Sequence, residues 1–111
     1  MTKRYTLALD LKKDPKIIEE YEAYHRAVWP EIIKSIKDSG IESMEIYRWE
    51  NRLFMIMETS PEFSFEKKAE LDAGNAKVKE WEDLMWTFQQ GLPGVPEGEK
   101  WQVMDKIFDM K

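Results

Sequence analysis

At the start of the chain Tyr5, Leu7, Leu9 and Leu11 alternate with Thr6, Ala8 and Asp10. Successive side chains of an extended backbone point to opposite faces, so this period of two predicts a half-buried strand. At Asp14-Pro15 the pattern changes. Asp suits a helix N-cap, and Pro is tolerated in the first turn because its missing N–H has no intrahelical partner there. Ile17, Ile18, Tyr21, Tyr24, His25 and Val28 then recur at helical spacing until Pro30 interrupts. A second helical piece is predicted over Glu31 to Ser39, closed by Gly40. Ile41 to Trp49 and Arg52 to Thr59 read as strands joined by a short hairpin at Glu50-Asn51. Beyond Ser60-Pro61 a polar helical stretch covers Phe65 to Ala73, and Gly74-Asn75 restarts a helix on which Val78, Trp81, Leu84, Met85 and Phe88 share a face. Three glycines and two prolines between Gly91 and Gly98 mark a loop. Trp101, Val103, Met104, Ile107 and Phe108 predict a last strand with apolar residues on both faces.

The resulting order, β-α-β-β-α-β, is the split pattern of an α+β, ferredoxin-like domain, expected here as a single unit over residues 1–111. Both helical regions then lie on one face of a four-stranded sheet. The other face cannot be very polar, because Leu53-Phe54-Met55-Ile56-Met57 and the last strand carry apolar side chains in both directions. A second copy packed sheet to sheet would cover it, so a homodimer is expected.

Composition narrows the chemistry. With 42% hydrophobic and 35% charged residues, the chain has the balance of a globular protein. It has no Cys and one His, which leaves no Cys/His zinc cluster and no disulfide framework. A net charge of −5 without a basic stripe argues against nucleic acid as a partner. No stretch approaches the ~18 apolar residues of a membrane span. Met1-Thr2-Lys3-Arg4-Tyr5 leads directly into a strand without an apolar signal region, so no membrane association and a cytoplasmic location are expected. No phosphate-binding glycine loop, GxSxG elbow or metal-ligand spacing is present, and no cofactor is expected. Small neutral molecules or another protein chain are the expected partners.

His25 is the one side chain whose unperturbed pKa lets it give and take a proton near neutrality. Four residues after Tyr21, it stacks over that phenol on a helix. Two readings of it stand: a core histidine bonded to a backbone carbonyl, or the acid/base of a small-molecule site, with Tyr21, Tyr24 and Trp29 as rings that grip a sugar face. Trp81 and Trp86 form a second aromatic group, for which core packing is the simpler expectation at Trp86. Glu82, in the run Glu80-Trp81-Glu82-Asp83, has the pattern of a solvated helix face. Met44 and Tyr47 point to opposite sides of their strand, and Glu58 closes an apolar strand, where edge exposure is the simpler account.

Tyr21-x3-His25 followed by Trp29-Pro30-Glu31, then Glu45-Ile46-Tyr47, Asn51-Arg52-Leu53-Phe54, Trp81 and a terminal Lys106-Ile107-Phe108, resembles the L-rhamnose mutarotase family with its L-fucose mutarotase relatives. The resemblance covers nearly the whole chain, and Tyr-x3-His…Trp-Pro is its most specific part. It implies a dimeric α+β barrel that interconverts sugar anomers without a cofactor. It also implies that His25 is the proton donor and that Tyr21 contacts the sugar. Two positions depart from the family pattern: Met44 stands where a substrate-binding tyrosine is common, and Trp81-Glu82 where a Trp-Trp pair is common. Both bear on which sugar is bound.

Mutarotation requires a proton on the ring oxygen and loss of one from the anomeric hydroxyl. On this reading His25 supplies and recovers the proton, Tyr21 holds the sugar or completes a proton path, Trp81 packs on its apolar face, and Glu82 bonds a hydroxyl. The expected substrate is a 6-deoxy-L-sugar, with L-rhamnose placed ahead of L-fucose. Two alternatives share the architecture: a monooxygenase or haem-handling enzyme in which a helical His binds iron, and a non-catalytic ligand-binding dimer.

Overall fold

The computed structural model describes residues 2–110; the ends of the expected domain, Met1 and Lys111, lie outside the described residues. The N-terminal alternation forms strand β1 (Lys3–Leu11), and the predicted hairpin forms β2 (Ile41–Trp49) and β3 (Arg52–Thr59). Glu50 adopts φ 53° in the hairpin turn, a left-handed conformation that few non-glycine residues take outside tight turns. The sheet order is β2-β3-β1-β4, where β4 is Gln89–Gln90, and β5 (Gln102–Val103) pairs with the same β1 edge as β4. All pairings are antiparallel, as in a ferredoxin-like α+β sheet.

Each helical region is two helices, as Pro30 and Gly74-Asn75 predict: α1 (Pro15–His25), α2 (Pro30–Asp38), α3 (Phe65–Ala73) and α4 (Ala76–Trp86). Side-chain caps start three of them. Asp14 accepts from the Lys16 N–H at 2.9 Å, Ser64 from Lys67 and Asn75 from both Lys77 and Val78, satisfying N–H groups that no helical carbonyl can reach. The first helix ends at His25, before Pro30, because Arg26 already caps it with N–H bonds to Glu22 and Ala23. His25 therefore stands in the last turn.

The last strand is shorter than predicted. Only Gln102–Val103 pair, opposite Ala8 and Leu7, and the ladder ends where the Met104 N–H donates to the Thr6 carbonyl at 2.7 Å. Residues 104–110 form no helix or strand, and Ile107 and Phe108 are 95% and 77% exposed. Apolar pattern alone does not make a strand: the chain leaves the β1 edge after the Met104 bond, although the register would set residues 105–107 opposite Tyr5 to Lys3. The Gln-Gln strand β4 carries no apolar alternation and is a tertiary product.

The two sheet faces follow from register. Leu7 opposite Met55, Leu9 opposite Leu53 and Met44 opposite Met57 turn toward the helices. Leu9, Leu11 and Leu53 are fully buried there, with Tyr21, Ile32, Val78, Trp81, Met85 and Phe88 closing the core. The other face carries Ala8, Phe54, Ile56 and two cross-strand ion pairs, Arg52 on Asp10 at 2.8 Å and Arg4 on Glu58 at 3.0 Å. Glu58 thus belongs to the exposed side, and Tyr47 lies exposed on that side too.

Candidate functional site

A cavity of about 690 Å³ opens between the helices and the sheet. Leu7, Met44, Ile46, Met55 and Met57 form its sheet wall, and Tyr21, His25, Ile32, Val78 and Trp81 its helical wall. Of the residues weighed as site candidates in the sequence, Tyr21, His25, Met44, Trp81 and Glu82 line this one space. Strand parity brings Met44 inward, and helical parity brings Tyr21 and His25 to the same side of α1.

The Tyr21 and His25 rings stack with centroids 4.3 Å apart, and His25 meets the edge of Trp81 at 5.7 Å. The His25 Nδ1–H donates to the Tyr21 carbonyl at 2.8 Å. Because a carbonyl only accepts, this bond fixes the Nδ1–H tautomer and leaves Nε2 with a free lone pair. His25 is thus bonded to a backbone carbonyl and also lines a cavity. Burial lowers the imidazole pKa from its ordinary value, against the opposing pull of the carbonyl bond, so the neutral form dominates at neutral pH.

Tyr21 is buried and its phenol is pushed up to about 12 by burial, with the Gln89 bond acting the other way. Gln89 Nε2 donates to the Tyr21 hydroxyl oxygen at 3.3 Å. With its oxygen accepting from Gln89, Tyr21 retains its own O–H as a donor. Gln89 is buried, lines the cavity, and is supplied by β4. No sequence signal marks it, since Phe88-Gln89-Gln90-Gly91 has no periodicity.

Other residues occupy different places from those expected. Tyr24 and Trp29 are absent from the cavity lining; their rings pack against Trp81 at 6.2 and 5.0 Å and hold that indole in place. Trp86 is not a core residue. It lies half-buried at a separate depression, with the Lys100 ammonium 5.4 Å from its ring, because α4 turns Val78, Trp81 and Met85 inward and Trp86 is off that face. Glu82 is exposed as its charged run predicts, yet it reaches the cavity rim. Lys68, Asp72, Lys100 and Trp101 also line the space. Among the described residues no group of three or more His, Cys, Asp or Glu is placed to hold a metal ion, and no helix is long and apolar enough to cross a membrane.

Comparison with known proteins identifies the family. A family model described as L-rhamnose mutarotase matches residues 4–110. An L-fucose mutarotase from Xanthomonas campestris pv. campestris is 42% identical over 107 residues, covering 95% of this chain and 86% of the relative. An L-rhamnose mutarotase from Phocaeicola vulgatus is 36% identical over 86 residues, covering 75% of this chain and 76% of the relative. The crystal structure of L-rhamnose mutarotase from Formosa agariphila aligns with a TM-score of 0.71 at 25% identity, covering 98% of this chain and 99% of that one. A dimeric ferredoxin-like protein from an uncultured marine organism shares the fold, with a TM-score of 0.54 at 14% identity over 97% of this chain and 91% of that one. The chain belongs to the L-rhamnose mutarotase family, whose named members are enzymes that interconvert sugar anomers.

Proposed function

We propose that this enzyme interconverts the α and β anomers of a 6-deoxy-L-hexose, with L-fucose ahead of L-rhamnose. The relative at 42% identity over 95% of the chain is named for L-fucose, which supports that order over the reverse one expected from the sequence. The observation that carries the chemistry is the His25 imidazole, oriented by the Tyr21 carbonyl on the wall of a 690 Å³ cavity. Neutral Nε2 takes the proton of the anomeric hydroxyl, and the C1–O5 bond breaks as C1=O1 forms. The resulting imidazolium returns that proton to O5. Both oxygens are bonded to C1, so one imidazole serves both. Rotation about C1–C2 and the reverse sequence close the ring onto the other face. Tyr21 donates its O–H to the sugar, Trp81 packs on an apolar sugar face, Met44 leaves the adjoining sugar edge without a phenol partner, and Glu82 accepts from a hydroxyl at the rim. General acid/base assistance of this kind contributes ~10²–10⁴-fold, a fitting scale for a reaction that already proceeds in water. Saturation-transfer NMR on L-fucose and L-rhamnose tests the proposal: added protein should accelerate anomer exchange of at least one of them. Unchanged exchange for both sugars would reject it.

The working form is a homodimer closed over the open sheet face. Half-buried Phe54 and Ile56 and buried Ala8 give this side the apolar character of an interface, and the C-terminal segment adds exposed Ile107 and Phe108. The likeness to a protein described as dimeric supports the same reading. Light scattering should return twice 13.3 kDa; a monodisperse monomer at micromolar concentration would contradict it.

A further inference from the structure

Helix α3 is turned the wrong way round for a surface helix. Leu71, its large aliphatic residue, is 54% exposed, whereas Lys68 and Asp72 line the cavity with side chains only 24% and 14% exposed. The two are bonded to each other, Lys68 Nζ donating to Asp72 Oδ2 at 2.5 Å. On a solvated helix an i,i+4 pair of this kind is a minor contributor. Against an apolar cavity the same pair is costly to desolvate unless its remaining donors and acceptors are satisfied. Here they are not. Asp72 Oδ1 is the buried side-chain oxygen without a hydrogen-bond partner among the described residues. Lys68 has three N–H donors, and the Asp72 bond uses one. An orphan acceptor next to spare donors matches the chemistry of hydroxyl groups, which both donate and accept.

We propose that Lys68 and Asp72 form a polar subsite of the cavity that binds sugar hydroxyls, Asp72 accepting from one and Lys68 donating to it or to its neighbour. This rests on the mutarotase reading and adds a specificity determinant to it. His25 and Tyr21 handle the reacting end from α1, while α3 recognises the hydroxyl pattern from another wall. Neither α3 residue touches the proton path, so their loss should act on binding.

Methyl α-L-fucopyranoside is the suitable probe, because a methylated anomeric oxygen prevents ring opening and separates binding from exchange. Its affinity is measured by NMR titration for the wild type, Asp72→Asn and Lys68→Met. Charge-assisted hydrogen bonds of this kind predict ~10–100-fold weaker binding in either variant, and a matching rise in KM with kcat nearly unchanged on the free sugar. One of the 2-, 3- or 4-deoxy glycosides should bind the wild type as weakly as the parent binds Asp72→Asn, with no further loss on that variant. Asp72→Leu combined with Lys68→Met removes both charges, and serves if a single variant misfolds. Folded variants that bind the glycoside as the wild type does, or a wild type that fails to bind it at millimolar concentration, would overturn the subsite. Absence of anomer exchange alongside intact glycoside binding would reject the mutarotase reading and leave the subsite standing.

Discussion

The two faces of this sheet are built from the same strands and do opposite things. Toward the helices, Leu9, Leu11 and Leu53 are sealed completely and the remaining space is a cavity holding one imidazole and one phenol. On the other side, Phe54 and Ile56 stand beside the Asp10–Arg52 and Arg4–Glu58 pairs. On the proposed function, the difference separates chemistry from assembly: alternate residues of one strand would serve each, since the side-chain period is two. Substitutions on one face should therefore leave the property of the other intact.

His25→Ala is the strongest break of that separation on the covered side. Exchange measured by saturation transfer should fall ~10²–10⁴-fold, with scattering mass and circular dichroism unchanged. Wild-type exchange in the folded variant would take His25 out of the mechanism. Next comes Leu9→Ala, which removes a fully buried side chain and should cost ~2–5 kcal/mol, read as a lower urea midpoint at fixed protein concentration.

Phe54→Asp addresses the open face. Losing an interfacial ring and gaining a charge should cost about 2 kcal/mol or more per protomer, and shift the mass toward 13.3 kDa without reshaping the cavity. A dimer that survives it would place the interface elsewhere.

The pH profile of exchange sharpens the picture of the covered face. Burial lowers the His25 pKa below its ordinary 6.5, and the proposed mechanism starts from the neutral ring. The rate should hold level above that value and fall ~10-fold per pH unit below the lowered pKa. A rate that rises on acidification would mean that the imidazolium is the active form. The smallest expected effect is at the cavity rim: Glu82→Trp should change the ratio of L-fucose to L-rhamnose activity by a few-fold, on the order of 1 kcal/mol or less, more than it changes their sum. Equal loss of both would make Glu82 a general contributor to the pocket.

Much of this was legible before any coordinates. Element types, the Asp14 cap, the helix break before Pro30, the hairpin at Glu50-Asn51 and the stacking of His25 on Tyr21 follow from local rules, because periodicity and capping act over a few residues. The last strand did not follow, since apolar residues at 104–108 mimic a strand although pairing with β1 stops after Val103. Tyr24 and Trp29 share a helix stretch with His25, but contacts across elements assign them to Trp81.

From local sequence alone come the order of the elements other than β4, the faces of the first three strands and the presence of a single neutral-pH acid/base. The tertiary structure alone decided which polar residues share its cavity. Gln89 reaches the Tyr21 hydroxyl across 68 positions of chain, and Lys68 and Asp72 face a cavity although their spacing is that of a solvated surface pair. Period and propensity describe a residue's own turn or strand. Whether its partner is water, another side chain or a ligand depends on how the layers close over it.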